Sequence, residues 1–163
     1  MSSPIPRYSI DSPIGVIADT HGLLRDEAVE LLEGCELILH LGDVGNKEED
    51  KAILEHLETL APVHCVQGNI DTATWAGSLP VHQDIMVNDH HLHLVHRLAD
   101  FDLSTPCDAV LHGHSHKPRN ETQSGKLLFN PGAAGKRRFK LPITLGKLWI
   151  DQRGIRGAII HLL

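Results

Sequence analysis

Three times in the first 71 residues the same pattern recurs: an apolar run, a polar tip bearing a glycine, then residues at helical spacing. Ile14–Ala18 leads into Asp19-Thr20-His21-Gly22, Leu37–Leu41 into Gly42-Asp43, and Val63–Val66 into Gln67-Gly68-Asn69-Ile70-Asp71. Between the first two runs, Asp26–Glu33 carries Ala28, Leu31 and Leu32 at helical spacing, with Gly34 as a stop. Between the second and third, Asn46 and Glu49 have the spacing of a capping box. The helix behind them sets Ile53, Leu57 and Leu60 on one face and is terminated by Pro62. Strands alternating with helices predict a parallel sheet with right-handed crossovers. In such sheets, sites lie outside the carboxyl ends of the strands. All three tips are therefore expected on one rim.

The second half has a different rhythm. Ile85–Val87 and Leu92–His96 flank a hairpin connection at Asn88–His91. Asp108–His112 reads as a buried strand. Asn120–Gln123 and Lys126–Phe129 flank Ser124-Gly125, and Ile143–Ile150 and Ile155–Ile160 flank Asp151–Gly154. The chain reads as one α/β domain over residues 1–163, with two sheets, partly parallel and partly antiparallel. It has no linker, repeat or low-complexity segment.

Histidine is the compositional outlier, with 13 copies in 163 residues. Three of them, His112, His114 and His116, crowd the end of one strand. Buried imidazole nitrogens need partners, and a metal ion is one. The donors that follow apolar strand patterns are Asp19, His21, Asp43, Asn69, His96, His114 and His116. Two carboxylates, four imidazoles and one amide oxygen exceed what one tetrahedral ion needs. They suit two ions of borderline hardness, such as Mn, Fe, Ni, Co or Zn. One carboxylate would bridge ions ~3.5–4 Å apart, a centre that polarises water and clamps phosphoryl oxygens. His112 is read as a supporting residue. His40 is read as either packing or a donor to a ligand. His56, His64, His82, His90, His91, His93 and His161 are assigned to surface or loops.

Other classes are disfavoured. A net charge of −6 argues against non-specific binding to nucleic acid or anionic membrane. Cys35, Cys65 and Cys107 are odd in number and widely spaced, which suggests reduced thiols. No apolar leader opens Met1–Asp11, and no run nears the ~20 apolar residues of a membrane span. The expected setting is cytoplasmic. Neither a phosphate loop with a following Lys nor a serine nucleophile elbow is present.

Asp19-x-His21, Gly42-Asp43, Gly68-Asn69-x-Asp71, His96 and Gly113-His114-Ser115-His116 resemble, in order, the five blocks of the calcineurin-like metallophosphoesterases. The stretches Ala18–Arg25 and Asn130–Phe139 are similar to the small prokaryotic phosphodiesterase branch, and the resemblance covers roughly residues 13–150. It implies a four-layer αββα sandwich of two mixed β-sheets flanked by helices. It also implies two divalent transition-metal ions, with manganese favoured. One ion would take Asp19, His21, Asp43 and His116. The other would take Asp43, Asn69, His96 and His114, with Asp43 as the bridge. Asp71 would orient a ligand by hydrogen bonding.

Two positions depart from the pattern. Ile70 stands where many relatives carry a histidine that protonates the leaving group. Arg97 follows the fourth-block histidine where glycine is usual, and its guanidinium would either bind a phosphate oxygen or pair with Asp100 or Asp102. The implied activity is hydrolysis of a small phosphoester, a diester in preference to a monoester, by a metal-bound hydroxide. Asp43, Asn69, Asp71 and Arg97 would be the catalytic set. The alternatives are an interaction scaffold, as for the retromer subunit of this fold, or a nuclease. Self-association into a homo-oligomer is left open. The basic cluster Lys136–Lys140 reads as a solvated loop or as substrate phosphate recognition at the rim.

Overall fold

The apolar runs become short strands, several of them buried on both faces. The computed structural model describes residues 4–163. In chain order the strands are β1 (Arg7–Tyr8), β2 (Ile14–Ile17), β3 (Leu37–His40), β4 (Val63–Cys65), β5 (His82–Val87), β6 (His90–Val95) and β7 (Ala109–Leu111). They continue as β8 (Arg119–Gln123), β9 (Lys126–Asn130), β10 (Thr144–Asp151) and β11 (Gly154–His161). Two α-helices, α1 (Asp26–Leu32) and α2 (Lys51–Glu58), supply the crossovers from β2 to β3 and from β3 to β4. One sheet has five strands in the order β11-β10-β2-β3-β4, and the other has six in the order β1-β5-β6-β7-β9-β8. Strands β2, β3 and β4 run parallel, as do β6, β7 and β9. The remaining partners pair mostly antiparallel, so both sheets are mixed, as expected.

Period-two alternation explains the layering. Ile14, Val16, Leu37 and Leu39 point from the five-stranded sheet toward Ile85, Leu92, Leu94 and Phe129 of the other, forming the inter-sheet core. The alternate residues Ile17 and Ile38 face outward and pack on Ala28, Leu32, Ile53 and Leu57 of the two helices. Burial on both faces is why these strands read as unbroken apolar runs. The outer face of the six-stranded sheet is covered differently. Val95, Val110 and Leu128 lie under Phe101, Leu98 and Leu103. Those residues come from the 98–107 segment, whose only helical piece is the 3-10 turn Leu98–Asp100. No helix among the described residues is long and apolar enough to cross a membrane.

Several local expectations shift. Strand β1, an edge strand parallel to β5, falls in a stretch that sequence patterning left as a tail. The β5–β6 connection is a two-residue turn at Asn88 and Asp89, both in left-handed backbone (φ 47° and 67°). His90 and His91 therefore belong to β6. The capping contact sits one residue later than expected: the Lys47 N–H donates to Asp50 Oδ2 at 2.9 Å and opens a 3-10 turn before α2. Helix α2 ends at Glu58, short of Pro62. Leu60 thus lies past its end, and Leu54 is buried in its place. His93 is buried on β6, and His64 is half-buried on β4, where it bonds the Tyr8 hydroxyl at 2.6 Å. Neither is the surface or loop residue that composition suggested.

Candidate metal centre

Parallel strands deliver their carboxyl ends to one rim, and the rim lies where the two sheets meet. Strand β2 runs into Asp19 and His21, β3 into Asp43, and β4 into Asn69 and Asp71. From the other sheet, β6 runs into His96 and β7 into His114 and His116. Backbone bonds bind the tips together: Asp19 N–H to the Gly42 carbonyl, His21 N–H to the Asp43 carbonyl (3.0 Å each), and Gly113 N–H to the His96 carbonyl (2.9 Å). Across the sheets, the His114 N–H donates to Asp19 Oδ2 at 3.1 Å.

Two groups of ligand atoms result, each with its atoms within 4.8 Å of one another: Asp19, His21 and His116, and Asp43, His96 and His114. Asp43 Oδ2 joins them, lying 3.4 Å from His21 Nε2 and 3.2 Å from His96 Nε2. Asp19 Oδ1 is 3.7 Å from His116 Nε2 and 3.9 Å from both His21 Nε2 and His96 Nε2. Asp19, Asp43, His96 and His116 are buried, whereas His114 is exposed. Asp19 Oδ1, His21 Nε2, His96 Nε2 and both ring nitrogens of His116 are buried atoms with no hydrogen-bond partner among the described residues. Such atoms are costly to bury unpaired, and the Nε2 atoms of His21, His96 and His116 converge on Asp19 Oδ1. A donor set of carboxylate oxygens and imidazole nitrogens with free lone pairs fits divalent transition metals.

The ligand backbones are strained in a common way. Asp19, His21, Asp43, His114 and His116 all have positive φ, between 47° and 73°. Each such residue costs about 1 kcal/mol or more. The reversals turn residues 19 and 21, and 114 and 116, into the same space at the strand ends. Neighbouring glycines permit the close approach. A Cβ on Gly42 (φ 100°) would sit 2.7 Å from His96 Nδ1, and one on Gly68 would sit 2.3 Å from both the backbone N and Oδ1 of Asp43.

The charges are coupled. The adjacent carboxylates of Asp19 and Asp43 push His21 up to about 9. Burial opposes the Asp43 charge, but His21, His96 and the Ile70 N–H hold its carboxyl far below the usual carboxylate range. Burial likewise opposes a charge on His96, and Asp43 overcomes it, raising His96 above the ordinary histidine value. His96 Nδ1 donates to the Leu41 carbonyl at 2.7 Å. A carbonyl only accepts, so Nδ1 carries a proton and Nε2 is the nitrogen that faces the centre.

The supporting residues act through backbone more than through ligand side chains. Asp71, buried, accepts from the N–H groups of Gly68 (2.8 Å), Asp43 (2.9 Å) and Gly45 (3.2 Å). It holds the bridge residue Asp43 by its main chain. Ile70, in the Asn69 turn, contributes its N–H to Asp43 Oδ1 at 3.0 Å. Asn69 itself is exposed on that turn. His40 ties the first two tips. Thr20 Oγ1 donates to the Val44 carbonyl (2.8 Å) and accepts from His40 Nε2 (3.1 Å), while Gly42 N–H donates to His40 Nδ1 (3.1 Å). Burial takes His40 down to about 4, so it works as a neutral ring. Asn130, fully buried, donates to the Gly113 carbonyl and to Ser115 Oγ (3.1 Å each) and shapes the His114-Ser115-His116 reversal. In the sequence Asn130 stood out only as the start of the stretch Asn130–Phe139. Its signal was a polar residue closing the apolar run Leu127–Phe129.

Arg97 does not join the centre. Its guanidinium makes a two-point pair with Asp100, Nε to Oδ2 at 3.2 Å and Nη2 to Oδ1 at 3.3 Å, because the following 3-10 turn brings Asp100 within reach. It lines an open cavity of about 580 Å³ beside the centre, together with His112, His114, Lys117 and Arg119. His112 is buried and held down to about 4 by burial, with Arg119 adding to the effect.

Comparison with known proteins agrees with this geometry. Residues 13–153 match the calcineurin-like phosphoesterase superfamily domain. The chain is 34% identical to a "Probable metallophosphoesterase" of Methanothermobacter thermautotrophicus, covering 91% of each chain. Among solved structures it is similar to a "Novel Archaeal Phosphodiesterase" (TM-score 0.71, 22% identity, 91% of this chain and 99% of that one). It is also similar to Vps29 from Entamoeba histolytica (TM-score 0.69, 18% identity, 91% and 98%). The two structural likenesses concern the fold.

Proposed function

The chain belongs to the calcineurin-like phosphoesterase superfamily, and from that premise we propose that it is a phosphodiesterase with a dinuclear metal centre. The observation that carries the proposal is Asp43 Oδ2, placed 3.4 Å from a histidine of one cluster and 3.2 Å from a histidine of the other. In this reading Asp19, His21, Asp43 and His116 hold one ion, and Asp43, Asn69, His96 and His114 hold the second. Manganese is the proposed metal. When bound, two such ions polarise a water and neutralise charge on the phosphoryl oxygens.

The chain's own residues set the rest. The His96 Nδ1–H bond to the Leu41 carbonyl fixes the ring so that Nε2 is the nitrogen aimed inward. Asp71 and the Ile70 N–H hold Asp43 from both sides. Ile70 has no proton to give, and no other side chain is assigned that task. Leaving groups that depart as stable anions are therefore preferred, since general-acid help is worth roughly 10²–10⁴-fold. Arg97, engaged with Asp100, takes no part in the proposed chemistry. All three cysteines are unpaired, in keeping with a reducing, cytoplasmic setting.

The test is metal analysis of the purified protein together with hydrolysis of bis(4-nitrophenyl) phosphate in added Mn²⁺. Two ions per chain and turnover abolished by Asp43→Ala are expected. A protein that binds no transition metal and turns over no ester would favour the scaffold reading instead.

A further inference from the structure

The basic cluster after Gly135 has a feature that solvated loops do not need. The Leu141 N–H donates to the Arg138 carbonyl at 3.1 Å and closes a turn. Phe139 occupies the first central position of that turn with φ 53°, and Lys140 is not in left-handed backbone. A turn with positive φ at that position alone selects glycine, and a bulky residue there is strained. The phenylalanine gains little packing in return, because the residue is 88% exposed. Lys136, Arg137, Arg138 and Lys140 surround it, all exposed. Arg138 lines two openings. One also contains His21 and His116 of the metal centre. The other, about 780 Å³, contains Phe139, Lys140, Ser115 and Lys117. The free aromatic face thus stands one residue from a cation that borders the ligand cluster.

We propose that this loop is a substrate subsite, that Phe139 is a specificity-determining residue, and that the substrate is a nucleotide phosphodiester whose base stacks on the Phe139 ring. The inference rests on the phosphodiesterase reading above. A flat π-face flanked by cations, next to a phosphoryl site, complements a base joined to a phosphate. The cavity is of the size that holds a nucleoside. Phe139, Leu141 and the stems of Lys117, Arg138 and Lys140 supply the apolar part of that lining, and the three cationic heads the part that suits a phosphate. A long nucleic acid is opposed by the net charge of −6.

The experiment compares two diesters with the same leaving group, thymidine 5′-(4-nitrophenyl) phosphate and methyl 4-nitrophenyl phosphate. The ratio of their kcat/KM values is expected to fall roughly 5- to 150-fold in Phe139→Ala, the factor that loss of one stacked base represents, and to recover in Phe139→Trp. An unchanged ratio overturns the subsite. If the unaltered protein hydrolyses neither ester, the phosphodiesterase reading fails, and calorimetric titration of thymidine 5′-monophosphate into chelator-treated protein decides the subsite separately. Saturable binding weakened by a similar factor in Phe139→Ala supports it, and no saturable binding overturns it. Affinity that keeps rising with oligothymidylate length beyond two nucleotides overturns the assignment to a small nucleotide ester.

Discussion

Asp71 is the residue whose removal tests most directly how the centre is built. Its carboxylate is 2% exposed and accepts three backbone N–H groups, two of them at Oδ2. Hydrogen bonds to a charged group contribute about 1.5–3 kcal/mol each, and a buried N–H left unpaired costs about 1–3 kcal/mol. Part of that gain is offset by burying the charge, which shows in an Asp71 carboxyl raised above its ordinary value by burial. The net expectation is a loss of about 3–4 kcal/mol for Asp71→Ala. Asp71→Asn keeps the bonds to Asp43 and Gly68 by placing its oxygen at the Oδ2 position, but it turns its amide donors toward the Gly45 N–H. Its expected cost is about 1–2 kcal/mol. Urea unfolding of the chelator-treated proteins measures both, and metal analysis of the loaded proteins should show Asp71→Ala losing at least one ion. If Asp71→Ala is within ~0.5 kcal/mol of the parent and retains its full metal content, the backbone-clamp account of Asp71 is wrong.

Other outcomes follow from the same geometry. Gly68→Ala drives a methyl to 2.3 Å from the Asp43 backbone N and Oδ1. It should cost about 1–3 kcal/mol and lower metal occupancy, read by thermal melting with and without Mn²⁺. With His21 raised to about 9, the metal-free protein carries a proton there at neutral pH that an entering ion must displace. Apparent metal affinity should therefore climb by about tenfold per pH unit from this proton, more steeply at lower pH where His96, also raised, must lose one too, and level off near pH 9, checked by competition with a chelator of known affinity. The same raised value gives the metal-free fold a contribution that is complete below pH 6.5 and lost as pH rises through about 9, visible in urea midpoints of chelator-treated protein. With Ile70 unable to donate a proton, phenyl esters should react far more slowly than 4-nitrophenyl esters. Ile70→His should narrow that gap by at least tenfold, and an unchanged leaving-group dependence would count against the position as the missing acid.

The sequence by itself determined the α/β class, the parallel stretches and the candidate ligands, because these depend on local properties. Apolar runs such as Leu37–Leu41 are continuous when a strand is buried on both faces, and a polar tip after each run places donors at a carboxyl end. Only the tertiary structure decided the contacts that depend on residues far apart in the chain. Strand β1 has two residues and no periodicity, and its partner β5 is some 80 positions away. The pairing of Arg97 with Asp100, the burial of His93 and the grip of Asn130 on the Gly113 carbonyl are packing outcomes. Neither Asp71's bonds to three N–H groups nor the positive φ shared by five ligand residues leaves a mark in composition or spacing. Those backbone reversals, stabilised by contacts between the two sheets, bring donors from five strand ends into one site.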